Sequence, residues 1–407
     1  MHILVLSDFF PPQLNAGAEN IALEFSRAYL QRGYKVSVIT INKLLPKGHV
    51  EVVEMQGLTC YQIGFNYHEK YRAYVSLYNA LVLRMIKKII RKQHFDFAHI
   101  HNIHGYISYG VIPLLKKYNI LAFMTAHDAM SVDYGKFTQG ISPYDLNLKP
   151  HVNYRISSLK TIRQYRKRYN PIRNGYIRFC FKHLVKIVCV SHELQRLLSA
   201  NAISNTSVIH NGLSLCNKVS TDQVSNFKQR FGIRDSDRVL MFAGRLSLAK
   251  GVNQVELLLN RLISQDPDIK LLVVGQQVVF SEDVRKNVIF TGWLSSGEMN
   301  IAYSIADITL VPSVYLDPFP TVVLESMRVG TPVLISVFSG AKEAVVHEGT
   351  GYYINPYNID DFTDRILKIL NNKSLHQSMS EASKLHFFKH FLLEQCIERY
   401  LSLLPSE

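Results

Sequence analysis

Residues 238–251 read RVLMFAGRLSLAKG. An apolar run, RVLMFAG (238–244), ends in glycine and is followed at once by Arg245; Lys250-Gly251 then opens a stretch of helical periodicity over 252–265. A short apolar run bounded by glycine and leading into a helix is the pattern of a buried parallel strand in a βα unit. Two cations at that junction suit a diphosphate. Helix amides and the helix dipole favour negative charge there, and a guanidinium can grip phosphate oxygens in a fork. A solvated strand-to-helix loop is the competing reading of the same residues.

Working outward, the pattern repeats. Strands are expected at 269–275, 287–292, 308–313 and 331–336, with helices near 296–306, 320–329 and 340–347 and three more over 359–404. The first half follows the same plan. Strands are expected at 2–7, 35–40, 95–102, 120–128 and 186–191, with a helix at 18–32 and a strongly basic one at 75–92. Residues 129–175 read as a long insertion of loops and short helices, and 210–226 as a link. Alternating strands and helices imply parallel sheets. The fold class is therefore α/β, with two Rossmann-like, doubly wound domains at 1–210 and 211–390 facing a central cleft. In such sheets ligands bind beyond the carboxyl ends of the strands.

A second motif lies at 312–325, PSVYLDPFPTVVLE. Asp317 sits in a Pro-rich loop and Glu325 inside the helix that follows, so two carboxylates bracket a helix start. Backbone amides near Phe319 and Thr321 are placed to face a ligand, whereas Pro320 has no N–H to offer. A carboxylate accepts from two vicinal hydroxyls at once, which fits sugar recognition. An ordinary helix with an acid near its start is the bland alternative.

The order of the two motifs, with the strand end VVG (273–275) between them, resembles the retaining nucleotide-sugar glycosyltransferases of family four, which have the GT-B fold. The family's carboxylate-Pro-Phe-Gly motif, with its later Glu and Gly-x-Pro-Val strand, stands here as DPFPTVVLESMRVGTPV (317–333). Asp317 replaces the usual Glu and Pro320 the usual Gly. The N-terminal glycine loop is AGAE (16–19), the H-x-H-N strand end is HIHN (99–102), and Thr-x-His-Asp is TAHD (125–128). Ser191 and Asn211-Gly212 also match the family's pattern, with His210 where Pro is common.

The resemblance implies these roles. Arg245 and Lys250 hold the donor diphosphate and stabilise charge as it leaves, and Glu325 holds the ribose hydroxyls. Asp317 contacts the donor sugar, with Phe319, Pro320 and Thr321 beside the donor. Gly17 lets the backbone approach phosphate and sugar. His127 contacts the sugar at its junction with the acceptor, and His101, Asn102 and Asp128 line the acceptor side. The catalytic set is thus Asp317, His127, Arg245 and Lys250. The nucleophile is the acceptor hydroxyl, no cofactor or metal is expected, and the last helix, about 391–407, returns to the N-terminal domain.

The charge is uneven. Of 46 Lys and Arg and 32 Asp and Glu, residues 1–200 hold 27 and 11, and residues 201–407 hold 19 and 21. The first half is therefore +16 and the second −2. Residues 146–192 carry 11 basic residues and no acid, and 70–95 carry 7 and no acid. A solvated surface is one reading of these runs, and an anionic membrane surface is the partner the resemblance favours. Nucleic acid is set aside because no zinc-finger, helix-turn-helix or RNP-type pattern accompanies them. Five scattered cysteines fit a reducing compartment. The N-terminus lacks a secretory pattern, and no run approaches ~18 uninterrupted apolar residues, so a cytoplasmic protein on the inner face of a membrane is expected.

Three features stand apart. His99, His101 and His104 suggest a metal cluster but lack a Cys or carboxylate at ligand spacing. DSD (235–237) and DPD (266–268) match a metal-binding Asp-x-Asp, but at the strand end opposite the ligand edge. Trp293 reads as a core residue, with a place beside the nucleotide base as the alternative. The competing functions are a sugar-nucleotide epimerase of the same fold, and a catalytically silent membrane-associated scaffold.

Overall fold

A computed structural model describes residues 1–13 and 17–404. The chain divides into two compact units, one of Met1–Phe137, Tyr154–Asn211 and Leu393–Glu407, the other of Thr138–Asn153 and Gly212–Leu392.

The first unit is built on eight strands: β1 (His2–Leu6), β2 (Lys35–Asn42), β3 (Val50–Met55), β4 (Leu58–Gly64), β5 (Phe97–Ile100), β6 (Leu121–Ala126), β7 (Lys186–Cys189) and β8 (Thr206–Val208). They lie in the order β3-β4-β2-β1-β5-β6-β7-β8. All neighbours are parallel except β3 and β4. The β3–β4 hairpin was not expected, because VEVVEM carries two glutamates in six residues and lies at the sheet edge with little burial. Its turn is Gln56-Gly57, both with positive φ (54° and 83°), the geometry that makes tight hairpins.

The expected basic helix over 75–92 is two pieces, Arg72–Val75 and Ala80–Ile90. Asn79 ends the first continuity: its Oδ1 caps Val82 N at 3.3 Å, and its Nδ2 donates to Tyr106 O at 2.7 Å. The longer piece buries Val82, Leu83, Ile86, Ile89 and Ile90 and turns Arg84 and Lys88 to solvent. The C-terminal helix Leu393–Leu401 packs on the helix Gly17–Gln31. Tyr400 meets Phe25 at 4.8 Å between ring centroids, and Arg32 pairs with Glu398 at 2.8 Å.

The second unit holds β9 (Arg238–Arg245), β10 (Ile269–Gln276), β11 (Val288–Gly292), β12 (Ile308–Val311), β13 (Val333–Ser336) and β14 (Gly351–Ile354). Their order is β11-β10-β9-β12-β13-β14, all parallel. The helix expected at 340–347 is only a 3₁₀ turn, Gly340–Ala344, and β14 follows it. Overlapping the end of the stretch read as a link, Thr221–Phe231 is a helix, started by a reciprocal Ser220–Gln223 capping box and ended at Gly232. Residues 138–153, expected in the N-terminal domain, group with this unit. The fully buried Asn355 holds them, donating from Nδ2 to Asp145 O at 2.7 Å and Asn147 O at 2.9 Å.

Both sheets follow the open doubly wound plan, so the carboxyl ends of β1, β5 and β6 in one unit, and of β9 and β12 in the other, are where ligand-binding residues belong.

Candidate active site

In the second unit the site starts where β9 ends. After Arg245 the chain makes a 3₁₀ turn, Leu248–Lys250, and enters the helix Val252–Ile263 through Gly251. Gly251 has φ +86°, and a Cβ there would lie 2.2 Å from Pro312 O. Only glycine fits, on both counts. The close approach is reinforced by Val314 N donating to Ala249 O at 2.9 Å, so the loop after β12 lies against the helix entrance.

That packing brings Lys250 onto Asp317 as an ion pair. Ser313 Oγ donates to the same carboxylate oxygen, Asp317 Oδ2, at 2.9 Å. The Asp317 backbone is fixed too, since its carbonyl accepts from Gly340 N at 2.8 Å. Asp317 is buried at 5% exposure, a carboxylate that a buried site tolerates because it is paired and hydrogen-bonded. Arg245, by contrast, is exposed and forms no ion pair with a described residue. The two cations expected to act together are therefore in different states, one bound to a carboxylate and one open to solvent.

Phe319 is buried, and Pro320 O accepts from Val323 N at 3.2 Å to start the helix Val322–Val329. Thr321 occupies its cap position without a side-chain capping bond. In the body of this helix, Glu325 Oε2 accepts from Tyr303 Oη at 2.8 Å. Tyr303 is fully buried, and burial, then the adjacent carboxylate, push its phenol well above the ordinary range. It stays a protonated donor and holds Glu325 in one orientation. Sequence reading missed Tyr303, which nothing local marks, and Ser313, which lay inside the quoted motif.

In the first unit, polar residues gather beyond β1, β5 and β6. Asp8, just past β1, is buried and accepts from the amides of Gly105 (2.6 Å), Tyr106 (2.9 Å) and Ile107 (2.7 Å). Burial raises its pKa, while His104 and the three amides oppose the rise. Asn102 O accepts from Asp8 N at 2.6 Å, tying the two strand ends together. Past β5 and β6, His101 Nδ1 and His127 Nε2 share a hydrogen bond of 2.9 Å, with the rings stacked 5.2 Å apart. Asp128 lies 3.4 Å from His104 Nε2 and accepts from Met130 N at 2.8 Å. Glu19, in the first turn of the helix that Gly17 opens, is buried, and burial raises its pKa as well. Ala16 lies outside the described residues. Sequence reading missed Asp8, although an acid just past the first strand of such a sheet is itself a signal.

The histidines stay neutral. Burial pushes His127 down to about 4, against the pull of Asp128. It pushes His99 and His101 well below the usual imidazole range, neighbouring imidazoles adding to the effect. His101 Nε2 is buried without a partner among the described residues. A buried N–H left unpaired costs roughly 1–3 kcal/mol. The tautomer that puts the proton on His101 Nδ1 avoids an orphaned N–H, makes His127 Nε2 an acceptor and leaves His127 Nδ1–H as a donor.

The remaining features resolve as structure. His99 is a core residue, bonded to Tyr29 Oη at 3.1 Å and Thr125 Oγ1 at 2.7 Å. The Asp-x-Asp pairs sit at the amino ends of β9 and β10, where Arg234 pairs with Asp237 (2.8 Å) and Asp268 (3.0 Å) and Arg238 with Asp266 (3.0 Å). Trp293 is 65% exposed, so it is not a core residue. It follows Gly292, the end of the edge strand β11, where only one side is packed. Among the described residues no group of three His, Cys, Asp or Glu could hold a metal ion, and no helix is long and apolar enough to cross a membrane.

Two family models match, glycosyl transferases group 1 over residues 223–386 and glycosyltransferase family 4 over residues 15–215. A lipopolysaccharide 1,2-N-acetylglucosaminetransferase of Salmonella typhimurium is 29% identical over 261 residues, 58% of this chain and 67% of its own. For the first curated relatives the matched span is about half to two thirds of their length. Among solved structures, the sucrose-phosphate synthase of Thermosynechococcus elongatus superposes with a TM-score of 0.74 at 18% identity, covering 99% of this chain and 98% of that one. Anabaena Alr3699/HepE, solved in complex with UDP and glucose, gives 0.66 at 16% identity, covering 99% and 100%.

Proposed function

The chain belongs to the family-four glycosyltransferases of GT-B fold, and we propose that it moves a sugar, with retention of anomeric configuration, from a UDP- or GDP-sugar to a hydroxyl of a lipid-linked glycan. The observation that carries the donor side is the constellation at the ends of β9 and β12. Arg245 and Lys250 flank a glycine-gated helix entrance, and two carboxylates, Asp317 and Glu325, are each held by a hydroxyl donor.

In the proposed reaction the bond from the sugar's anomeric carbon to the diphosphate oxygen breaks, and its electron pair leaves with the nucleotide. A bond forms from the acceptor oxygen to that carbon, and the acceptor proton passes to an oxygen of the departing diphosphate. Arg245 and Lys250 neutralise the charge growing on the departing diphosphate, the kind of electrostatic stabilisation that is usually the largest catalytic term. Glu325, oriented by Tyr303, accepts from the ribose hydroxyls. Asp317 accepts from a donor-sugar hydroxyl, and His127 donates from Nδ1 to the sugar. His101, Asn102 and Asp128 belong to the acceptor side. No metal or cofactor is assigned a part.

Lipopolysaccharide or capsule assembly on the cytoplasmic face of a membrane is the setting this reading implies. It is supported by the Salmonella relative's name and by the basic first half of the chain. The test is a panel of UDP- and GDP-sugars incubated with the purified chain, scored for release of the nucleoside diphosphate. Glu325→Ala and Arg245→Ala should stay folded and lose most of the release. Full activity in either would overturn the site, and isomerisation of the donor without release would favour an epimerase.

A further inference from the structure

Two stretches of the first unit, far apart in the sequence, converge on one hollow of about 480 Å³, lined by His68, Lys70, Tyr71, Tyr74, Lys167 and Arg168. Apart from His68, the lining comes from the two acid-free basic runs, 70–95 and 146–192. The walls are locked together from beneath. Ala73 packs with Tyr134 and Tyr169, with Tyr165 against them. Arg72, the one cation of the first wall turned inward, donates to Tyr134 O at 3.0 Å and lies 4.7 Å from the centre of that ring. The hollow is thus set by buried packing and not by the chance placement of surface chains.

The second wall carries local strain. Arg166 adopts φ +48°, a conformation rarely taken by a residue with a Cβ, at the end of the helix Ser158–Tyr165. The turn it makes leads into the exposed Lys167 and Arg168. Lys70, Lys167 and Arg168 form no ion pair with a described residue, and the acid beside them in sequence, Glu69, is itself exposed. Beside the cations two tyrosines of the lining stay open to solvent: Tyr71 is 51% and Tyr74 47% exposed.

We propose that this hollow is the seat at which the protein docks on an anionic lipid bilayer, its three cations taking head-group phosphates while Tyr71 and Tyr74 enter the interfacial layer. The proposal deepens the membrane contact suggested above and rests on it. A free phosphate would leave the exposed Tyr71 and Tyr74 in water. A bilayer surface satisfies cations and apolar side chains together, and tyrosine favours that interface. Cations near such a surface also act in sum.

The test is co-sedimentation of the full chain with vesicles of phosphatidylcholine, with and without phosphatidylglycerol. Wild type should bind only the anionic vesicles, and less in high salt. Replacing Lys70, Lys167 and Arg168 by Gln should weaken binding about 100-fold, each cation contributing about fivefold, or roughly 1 kcal/mol. The same charge change at Arg84, Lys88 and Lys92 should cost less than a tenth of that. Tyr71→Ser with Tyr74→Ser should weaken binding even in high salt. In the unaltered chain, vesicles should protect Lys70 and Lys167 from an amine-reactive label more than Lys116 and Lys117. Equal losses in the two triple variants, or no selective protection, would overturn the seat while leaving membrane binding intact. If wild type ignores anionic vesicles, both readings fail. Tighter binding to a single-stranded oligonucleotide than to the vesicles would overturn the proposal in favour of a nucleic acid.

Discussion

Lys250 and Asp317, 67 positions apart in the chain, form an ion pair in which Asp317 also accepts from Ser313. A cation expected to hold a diphosphate is thus already neutralised by a carboxylate expected to hold a sugar. Diphosphate binding must compete with Asp317 for Lys250. Asp317→Asn should therefore tighten binding of free UDP or GDP several-fold and still lower the transfer rate, because the sugar contact is lost. Isothermal titration alongside a kinetic assay separates the two effects. Weaker nucleotide binding in Asp317→Asn would show that the carboxylate holds Lys250 in its working position instead. Lys250→Met should lower thermal stability by about 1–3 kcal/mol, since it strands a buried carboxylate.

Glu325 Oε2 accepts from Tyr303 Oη at 2.8 Å. Tyr303→Phe removes it without changing shape much, costing about 1 kcal/mol of stability. If the hydroxyl only orients Glu325 for the ribose, KM for the donor should rise several-fold with kcat little changed. Glu325→Ala should raise it much further. A fall in kcat alone in Tyr303→Phe would mean the pair acts on the transition state.

Gly251→Ala tests the helix entrance. The new methyl would sit 2.2 Å from Pro312 O, at φ +86°. The left-handed conformation costs an L-residue about 1–2 kcal/mol, and the clash adds to it. The expected result is a clear drop in melting temperature and loss of donor binding, because relief of the clash moves the loop that carries Asp317. Retained nucleotide affinity would show that the two segments adjust independently.

The constellation of the second unit was legible in the sequence because its chemistry is local. GRLSLAKG and DPFPTVVLE each run from strand end to helix start, and the side chains they name are near one another by chain connectivity. What the sequence could not show was pairing across the fold. Tyr303 is one of 22 tyrosines and nothing around it differs from a core residue. The Lys250–Asp317 contact depends on how closely the loop after β12 approaches Gly251. The β3–β4 hairpin escaped notice for the opposite reason: at a sheet edge, charged residues erase the alternation that marks a strand. The split of the basic helix at Asn79 was hidden because the apolar spacing continues on both sides of the break.

The last prediction concerns pH and follows from the neutral histidines. His99, His101 and His127 have folded-state pKa values held below 6.5, that of His127 at about 4. A folded pKa below the unfolded one means the unfolded chain takes up protons first. The stability this protects is complete above pH 6.5 and is lost progressively as pH falls from there towards 4. Asp8 and Glu19 have raised values and act with the opposite sign, since their folded forms bind protons more readily than their unfolded ones. They soften the acid side without reversing it, because three histidines titrate first. Melting temperature measured from pH 8 to pH 4.5 should be flat at the top and fall steeply below 6.5. His101→Gln keeps a polar side chain but removes one titrating ring, and it should flatten that fall while lowering stability at pH 8. An unchanged slope in the variant would mean that His101 takes up its proton equally in the folded and unfolded chains, and the neutral pair assigned to His101 and His127 would then be wrong.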